Sequence, residues 1–239
     1  MPNDFLSDMM SHMTGGPYFA IFLSLLFFYI GVLLSNRFKT PLLSPLLVCV
    51  VLTITTLRLL GISYEEYMKG GQYIHFFLTP VTVLLVVPLY KQLPLLRKNF
   101  WVIISGVTVG AIVAITSIVV LGRLFGISKE VLISIMPKSV TAGIGMPLAE
   151  EFGGLASIAA FSIVYTGIAG AIIGDFLLTK LKLDDPVTYG VSMGVSAHAM
   201  GTSKSMEKGE EYGSLAGLCI ALCGIITVIL FPLYMNLLP

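Results

Sequence analysis

Seven stretches of this chain carry no Asp, Glu, Lys or Arg, and they constrain the fold more than any other feature. They run over residues 9–36, 40–57, 70–90, 99–122, 152–174, 186–203 and 212–239. Each is long enough for a helix of about 18–20 residues, which spans a hydrocarbon core of ~30 Å. Because backbone groups in lipid must be paired within their own segment, helices are the expected elements. We therefore predict an all-α, polytopic transmembrane bundle of about seven or eight apolar helices, forming a single domain over residues 1–239.

The composition agrees with a chain that works in a bilayer. Only 11% of the 239 residues are charged and 56% are hydrophobic, whereas soluble domains have about 25% charged residues. A net charge of +1 offers no basic footprint for nucleic acid, so we expect none as a partner. Residues 1–13 contain no Lys or Arg, so they do not resemble a secretory signal. The three cysteines, Cys49, Cys219 and Cys223, lie in apolar stretches, which predicts core packing.

Two segments are too interrupted to be ordinary lipid-facing spans. Residues 129–151 include Pro137 and Lys138, and residues 186–204 include several glycines around His198. A broken helix frees backbone groups that are tolerated at membrane depth only against protein or a water-lined cavity. We therefore predict proline-broken or re-entrant helices here. Each segment either crosses the bilayer or enters and turns back.

Internal similarity suggests a duplicated unit, as in elevator-type carriers. Residues 79–92 and 138–151 share the frame V-T-x5-P-L. Residues 104–110 and 168–174 share a spacing of small side chains, which allows close helix approach. The expected unit is a proline-broken helix followed by a glycine-lined helix.

Lys138 is the most informative single residue, because a charge in an apolar segment costs about 2.5–3.5 kcal/mol on the insertion scale. It either snorkels to an interface or faces an anionic substrate, and the flanking Ser139 and Thr141 favour the second interpretation. Half-helix N-termini at such breaks direct their positive ends toward anions. The predicted substrate-binding residues are Thr79, Pro80, Thr82, Lys138, Ser139, Val140, Thr141, Ser196, His198, Gly201, Thr202, Ser203 and Lys204.

Glu150 and His198 are candidates for proton or ion coupling. Histidine titrates near neutral pH, and small and hydroxyl-bearing residues surround His198 in the sequence. The alternatives are a core histidine with satisfied hydrogen bonds and a glutamate in an aqueous loop. The sequence shows no nucleophile arrangement, phosphate loop or metal-ligand spacing, so we expect neither an enzyme nor a metal or other cofactor.

Several blocks resemble the LrgB/CidB family over roughly residues 17–237. They are Pro137-Lys138-Ser139-Val140-Thr141 with Gly153-Gly154, Ser196-Ala197-His198 with Gly201-Thr202-Ser203-Lys204, and Phe77-Leu78-Thr79-Pro80 with Pro88-Leu89-Tyr90. The chain departs from the usual pattern at two places. Ala142-Gly143 stand where the family commonly has Thr-Pro, and Ser203-Lys204 stand where it has Ala-Arg.

The resemblance implies two alternative functions. One is a carrier of small 2-hydroxy or 2-keto monocarboxylates (glycolate, glycerate, lactate or pyruvate), similar to the plastid glycolate/glycerate transporter, with crossed broken helices and elevator motion. The other is a holin/antiholin-like pore or regulator of murein hydrolase activity and autolysis, beside a small LrgA/CidA-type membrane partner. The two breaks, Lys138 and the polar histidine segment favour the carrier. We further expect a homo-oligomer, with a dimer favoured, in the plasma or inner membrane.

Overall fold

A computed structural model describes residues 16–38, 43, 45–84 and 86–238, apart from the side chains of Thr79, Thr82, Val86, Pro88 and Leu89. All regular structure in this part of the chain is helical, and it contains no strand. The predicted all-α class is therefore confirmed. The chain divides into two compact units, Met1–Pro80 and Val81–Pro239.

The first unit contains three helices in its described part. They are α1 (Pro17–Phe38), α2 (Pro45–Leu60) and α3 (Tyr64–Phe76). Helix α1 contacts both α2 and α3, and a Cβ placed on Gly31 would lie only 2.6 Å from the Pro45 carbonyl oxygen. The hydroxyls of Ser24 and Tyr67 share a 2.7 Å hydrogen bond between α1 and α3.

Helix α4 (Leu78–Leu84) lies across the division, and eight further helices follow it. They are α5 (Val86–Lys91), α6 (Leu93–Lys98), α7 (Phe100–Leu124), α8 (Lys129–Ile135), α9 (Ala142–Glu151), α10 (Ala156–Lys180), α11 (Pro186–Lys208) and α12 (Glu210–Met235). Helices α1, α7, α10 and α12 are long and apolar enough to cross a membrane, and α2 is a shorter apolar helix. The stretch 70–90, expected as one span, is instead divided among α3, α4 and α5.

Residues 129–151 enter and turn back, forming what we call hairpin 1. The backbone N–H of Leu155 donates to Ser134 Oγ at 2.7 Å across 21 residues, a separation of about 32 Å in a continuous helix. A Cβ on Gly145 would lie 3.1 Å from the Pro137 carbonyl oxygen. Helix α9 therefore returns beside α8, and residues 136–141 form the tip.

Helix α11 also doubles back, and we call it hairpin 2. Lys208 Nζ donates to Asp184 Oδ1 at 2.5 Å across 24 residues, whereas a continuous helix would separate the two residues by about 36 Å. The chain reverses at His198, whose φ and ψ of 39° and −121° are not helical. Of the two alternatives open for these segments, entering and turning back is the one that both adopt.

The two hairpins enter from opposite sides of the bundle. Hairpin 1 precedes α10 and hairpin 2 follows it, and the 25 residues of α10 extend about 37 Å. Helix α12 runs in the direction opposite to α10, because Tyr212 near its start donates to the Asp184 carbonyl oxygen after α10, and Phe231 near its end packs against Phe152 before α10. The repeated unit is thus a hairpin followed by a long apolar helix, in two opposite orientations. The V-T-x5-P-L frames do not mark this repeat, because residues 138–151 belong to hairpin 1 and residues 79–92 fall mainly in the short helices α4 and α5.

Glycines on α7 and α10 allow close contact with the first arm of hairpin 2, residues 186–197, as the small-residue spacing predicted. They are Gly106 and Gly110 on α7, and Gly170 and Gly174 on α10. At each of the four, an added Cβ would lie between 2.5 and 2.9 Å from an atom of hairpin 2. The first arm is therefore held between two closely approaching helices.

Candidate functional site

Both hairpins contact the middle of α10. His198 Nε2 lies 3.0 Å from the Ile163 carbonyl oxygen, and a Cβ on Gly167 would lie 2.6 Å from His198 Cε1. On the other hairpin, a Cβ on Gly145 would lie 2.6 Å from Ile163 Cδ1. Both hairpins therefore contact Ile163, and hairpin 2 also reaches Gly167 one helical turn further along α10.

The two hairpins also meet neighbouring turns of α12. Cys223 Sγ lies 3.7 Å from the Ser139 carbonyl oxygen at the tip of hairpin 1. Cys219 Cβ would lie 2.9 Å from a Cβ on Gly194 in hairpin 2. Both cysteines are buried in the apolar core, which confirms the packing predicted for them. Cys49 is only partly buried, and its thiol donates to the Ser24 carbonyl oxygen at 3.5 Å.

The sequence Pro137 to Thr141 explains the tip of hairpin 1. Proline has no N–H to continue the helical ladder, and the backbone turns through hydrogen bonds from Lys138 N to Ile135 O at 3.0 Å and from Val140 N to Pro137 O at 3.2 Å. Thr141 is extended, with φ −72° and ψ 154°, and occupies the N-cap position of α9 without a side-chain cap hydrogen bond. The tip therefore places the start of a helix near the middle of the bundle.

Hairpin 2 reverses without a proline. His198 adopts a positive φ of 39°, a conformation that costs a non-glycine residue of order 1–3 kcal/mol. Gly201 allows the return arm to approach the first arm, because an added Cβ would overlap the Met193 carbonyl oxygen. Ser205 Oγ donates to the Gly201 carbonyl oxygen at 2.7 Å. Close packing of the two arms therefore holds the reversal in place.

Lys138 is half-buried beside the Ser139 hydroxyl, to which its ammonium group donates at 3.3 Å. Within the described residues, no carboxylate forms an ion pair with Lys138. Lys138 and Ser196 line one cavity of about 650 Å³. The other lining residues are Ile118, Ile135, Ile158, Phe161, Ser162, Tyr165, Thr166, Ala169, Gly170, Ile173, Gly174 and Leu177. Hairpin 1 thus contributes Ile135 and Lys138, and hairpin 2 contributes Ser196, to a largely apolar cavity along α10.

Two threonines carry buried hydroxyls without a hydrogen-bond partner in the described structure, Thr141 Oγ1 and Thr202 Oγ1. Thr141 begins α9, and Thr202 lies four residues after the reversal at His198. An unsatisfied buried hydroxyl costs about 1–3 kcal/mol. Each hairpin therefore has an unused hydroxyl close to the start of its return arm.

The remaining predicted residues lie elsewhere. Lys204 is outside the cavity lining, where it donates to Glu207 Oε2 at 2.7 Å and lies 3.9 Å from Asp175 Oδ2. Ser203 is exposed, and Glu150 is exposed near the end of α9, away from the tip.

Three further predicted residues belong to α4. Pro80 is exposed, and the side chains of Thr79 and Thr82 fall outside the described residues. Across the residues that the structure describes, no cluster of three or more His, Cys, Asp or Glu could hold a metal ion.

Sequence reasoning missed the contribution of α10 to the cavity. Ser162, Thr166, Gly170 and Gly174 line the cavity at intervals of four residues, which places them on one helical face. A stripe of small and hydroxyl side chains on one face of an apolar helix was the available signal. The small-residue spacing of residues 168–174 covers only Gly170 and Gly174 of this stripe.

The fold defines a multi-pass membrane protein in which two opposed re-entrant hairpins flank a cavity with one half-buried cation, Lys138. The chain belongs to the LrgB-like family, whose model matches residues 24–237. Proteins named antiholin-like protein LrgB, from Bacillus mycoides, Bacillus cereus and Bacillus anthracis, are each 33% identical over 220 residues, which cover 92% of this chain and 96% of the relative. No solved structure matches the chain. The family resemblance read from the motifs is confirmed.

Proposed function

We propose that this protein is a secondary carrier, and not an enzyme, that moves small 2-hydroxy or 2-keto monocarboxylates across the membrane. One observation carries the proposal. The half-buried Lys138 ammonium lines a cavity between the two hairpins and forms no ion pair with a carboxylate in the described residues. A carboxylate substrate would supply the missing charge.

The energy of the unpaired cation supports this proposal. A lysine at membrane depth costs about 2.5–3.5 kcal/mol on the lenient scale, and a monocarboxylate would offset much of that cost by pairing with it. Lysine acts as a compact point charge on a flexible stem. It therefore suits a site that must release its ligand as well as bind it.

The helix N-termini at the tips of the two hairpins add to the positive electrostatic potential of Lys138. The N-terminus of α9 begins at Thr141, and the return arm of hairpin 2 begins after His198. Helix N-termini carry partial positive charge that favours anions. The hydroxyls of Thr141 and Thr202 have no partner in the described structure, but neither residue lines the cavity that holds Lys138. Ser196, which lines the cavity, donates its hydroxyl hydrogen to the Ser192 carbonyl oxygen at 2.7 Å, which leaves its oxygen to accept a hydrogen bond from a substrate hydroxyl.

The opposed hairpins also suit alternating access. Oppositely oriented repeats with discontinuous helices allow a central site to open to one side at a time. A simple pore needs neither the inverted arrangement nor a site at its middle. We include elevator motion in the proposal, with opposed hairpins in place of the crossed helices expected from the family.

The test is uptake of labelled pyruvate, lactate and glycolate by proteoliposomes. We expect saturable uptake that falls at least tenfold in Lys138→Ala. The matched control is Lys129→Ala, because Lys129 is an exposed lysine at the outer end of the same hairpin, and this variant should transport like the wild type. Equal saturable uptake by Lys138→Ala and Lys129→Ala would remove the site assignment.

The names of the relatives favour a second candidate more directly than the first. Three relatives are called antiholin-like, which supports a holin/antiholin-like pore or a regulator of murein hydrolase activity and autolysis. Such a pore would release large solutes without saturation or competition. A regulator would be inactive alone and active only with its small LrgA/CidA-type partner.

The assembly and the location belong to the same proposal. We propose a homo-oligomer, with a dimer favoured, in the plasma or inner membrane. Light scattering of the detergent-purified protein should give about twice the chain mass of 25.8 kDa after subtraction of detergent. Co-purification of a small LrgA/CidA-type protein would favour the regulatory candidate.

A further inference from the structure

The cavity beside Lys138 differs from a site built only for a two- or three-carbon acid. Its volume is about 650 Å³, and its single charged residue is Lys138. Most of the other lining side chains are apolar, including Ile135 on hairpin 1 and Ile118 on α7. A small hydrophilic acid would contact little of this apolar surface.

An aromatic wall lies beside the hydroxyl-bearing part of α10. Phe161 and Tyr165 stack with ring centroids 6.3 Å apart and an interplanar angle of 18°. Both rings line the cavity and are 71% and 64% exposed. Ser162, directly after Phe161, also lines it. A hydrocarbon group attached to a carboxylate at Lys138 would find contact area on these rings.

We infer that the cavity binds 2-oxo acids with a hydrocarbon side chain of four or more carbons, or an aromatic ring, more tightly than it binds pyruvate. This inference rests on the proposed function and specifies its substrate class. The carboxylate pairs with Lys138, and the hydrocarbon lies along α10 against Phe161 and Tyr165. Burial of each methylene is worth ~0.8 kcal/mol, which corresponds to about a fourfold change in affinity.

Competition against labelled pyruvate uptake tests the inference. The competitors are 2-oxobutyrate, 2-oxopentanoate, 2-oxohexanoate and phenylpyruvate, applied to proteoliposomes of the full chain. Because Phe161 and Tyr165 leave part of the cavity exposed, we expect the half-inhibitory concentration to fall two- to fourfold with each added methylene. Phenylpyruvate should compete at least as well as 2-oxohexanoate.

Two variants separate binding in the cavity from partition of the longer acids into lipid. Phe161→Ala removes one wall of the cavity. In this variant the half-inhibitory concentration should fall less than twofold with each added methylene. Phe176→Ala removes a similarly exposed phenylalanine of α10 that does not line the cavity, and it should keep the slope of the wild type. Equal slopes in both variants would assign the trend to lipid and overturn the inference.

The remaining outcomes distinguish this inference from the proposed function. Pyruvate uptake that depends on Lys138, with a flat or reversed series, would overturn only the preference for hydrocarbon side chains. Absence of saturable uptake for every acid would overturn both.

Discussion

The clearest structural prediction concerns Gly194, which lies where the first arm of hairpin 2 crosses α12. A Cβ added here would lie 2.5 Å from the Ala216 carbonyl oxygen and 2.9 Å from Cys219 Cβ. Neither neighbour can rotate away, because one is backbone and the other is fixed to it. Gly194→Ala must therefore push the arm and α12 apart.

The magnitude follows from two opposing effects. Overpacking costs about 1–3 kcal/mol, and an approach to a rigid backbone atom lies in the upper half of that range, about 2–3 kcal/mol. Alanine recovers about 1 kcal/mol of helix propensity relative to glycine, so the net loss in the free energy of unfolding is about 1–2 kcal/mol. Gly217→Ala is the matched control, because its Cβ would meet only Thr202 Cγ2 at 3.9 Å. It should be neutral or slightly stabilising.

The native thiol of Cys219 provides the assay. Cys219 is fully buried beside Gly194, so its alkylation by a membrane-permeant maleimide should be slow. With Cys49 and Cys223 replaced by alanine, we expect Gly194→Ala to speed the alkylation of Cys219 about five- to thirtyfold, as 1–2 kcal/mol implies. The thermal midpoint in detergent should fall as well. Equal alkylation rates in Gly194→Ala and Gly217→Ala would refute the packing of hairpin 2 on α12.

Three other substitutions give separate expectations. Lys138→Met should abolish pyruvate uptake. It should also raise the thermal midpoint in detergent, because it removes a partly buried charge without an acidic partner in the described structure. A lower midpoint would contradict the cost assigned to that charge. Ser134→Ala should destabilise the protein by about 1–3 kcal/mol, measured by thermal unfolding, because Leu155 N–H loses its acceptor at the base of hairpin 1. Tyr189→Phe should cost about 1 kcal/mol in the same assay, since it removes the 2.6 Å hydrogen bond to Asp175; an unchanged midpoint would show that this bond is dispensable.

The sequence predicted the membrane class and the two unusual segments because both depend on local composition. Charge-free stretches report on lipid burial directly, and Pro137 interrupts a helix wherever it stands. The choice between crossing and turning back depends on contacts between distant residues. The bond between Ser134 and Leu155 and that between Asp184 and Lys208 settle it, and neither has a local sequence signature.

The candidate site was only partly predictable for the same reason. The cost of a charge in an apolar segment marks Lys138, and polar neighbours in the sequence mark Ser139 and Ser196; the structure places Lys138 and Ser196 on one cavity. Lys204 belongs to the same polar segment as Ser196, but it pairs with Glu207 at the open end of hairpin 2. Lys204 lies outside the cavity because it follows the reversal at His198 on the return arm. No proline marks that turn in the sequence.

The most direct test of the carrier proposal measures two solutes in the same vesicles. Proteoliposomes are loaded with unlabelled pyruvate and a large impermeant dye, and labelled pyruvate is added outside. The account predicts rapid, saturable accumulation of label by exchange through the wild-type protein, loss of that exchange in Lys138→Ala, and full retention of the dye. Release of the dye together with the pyruvate, unaffected by Lys138→Ala, would contradict the carrier and support the pore.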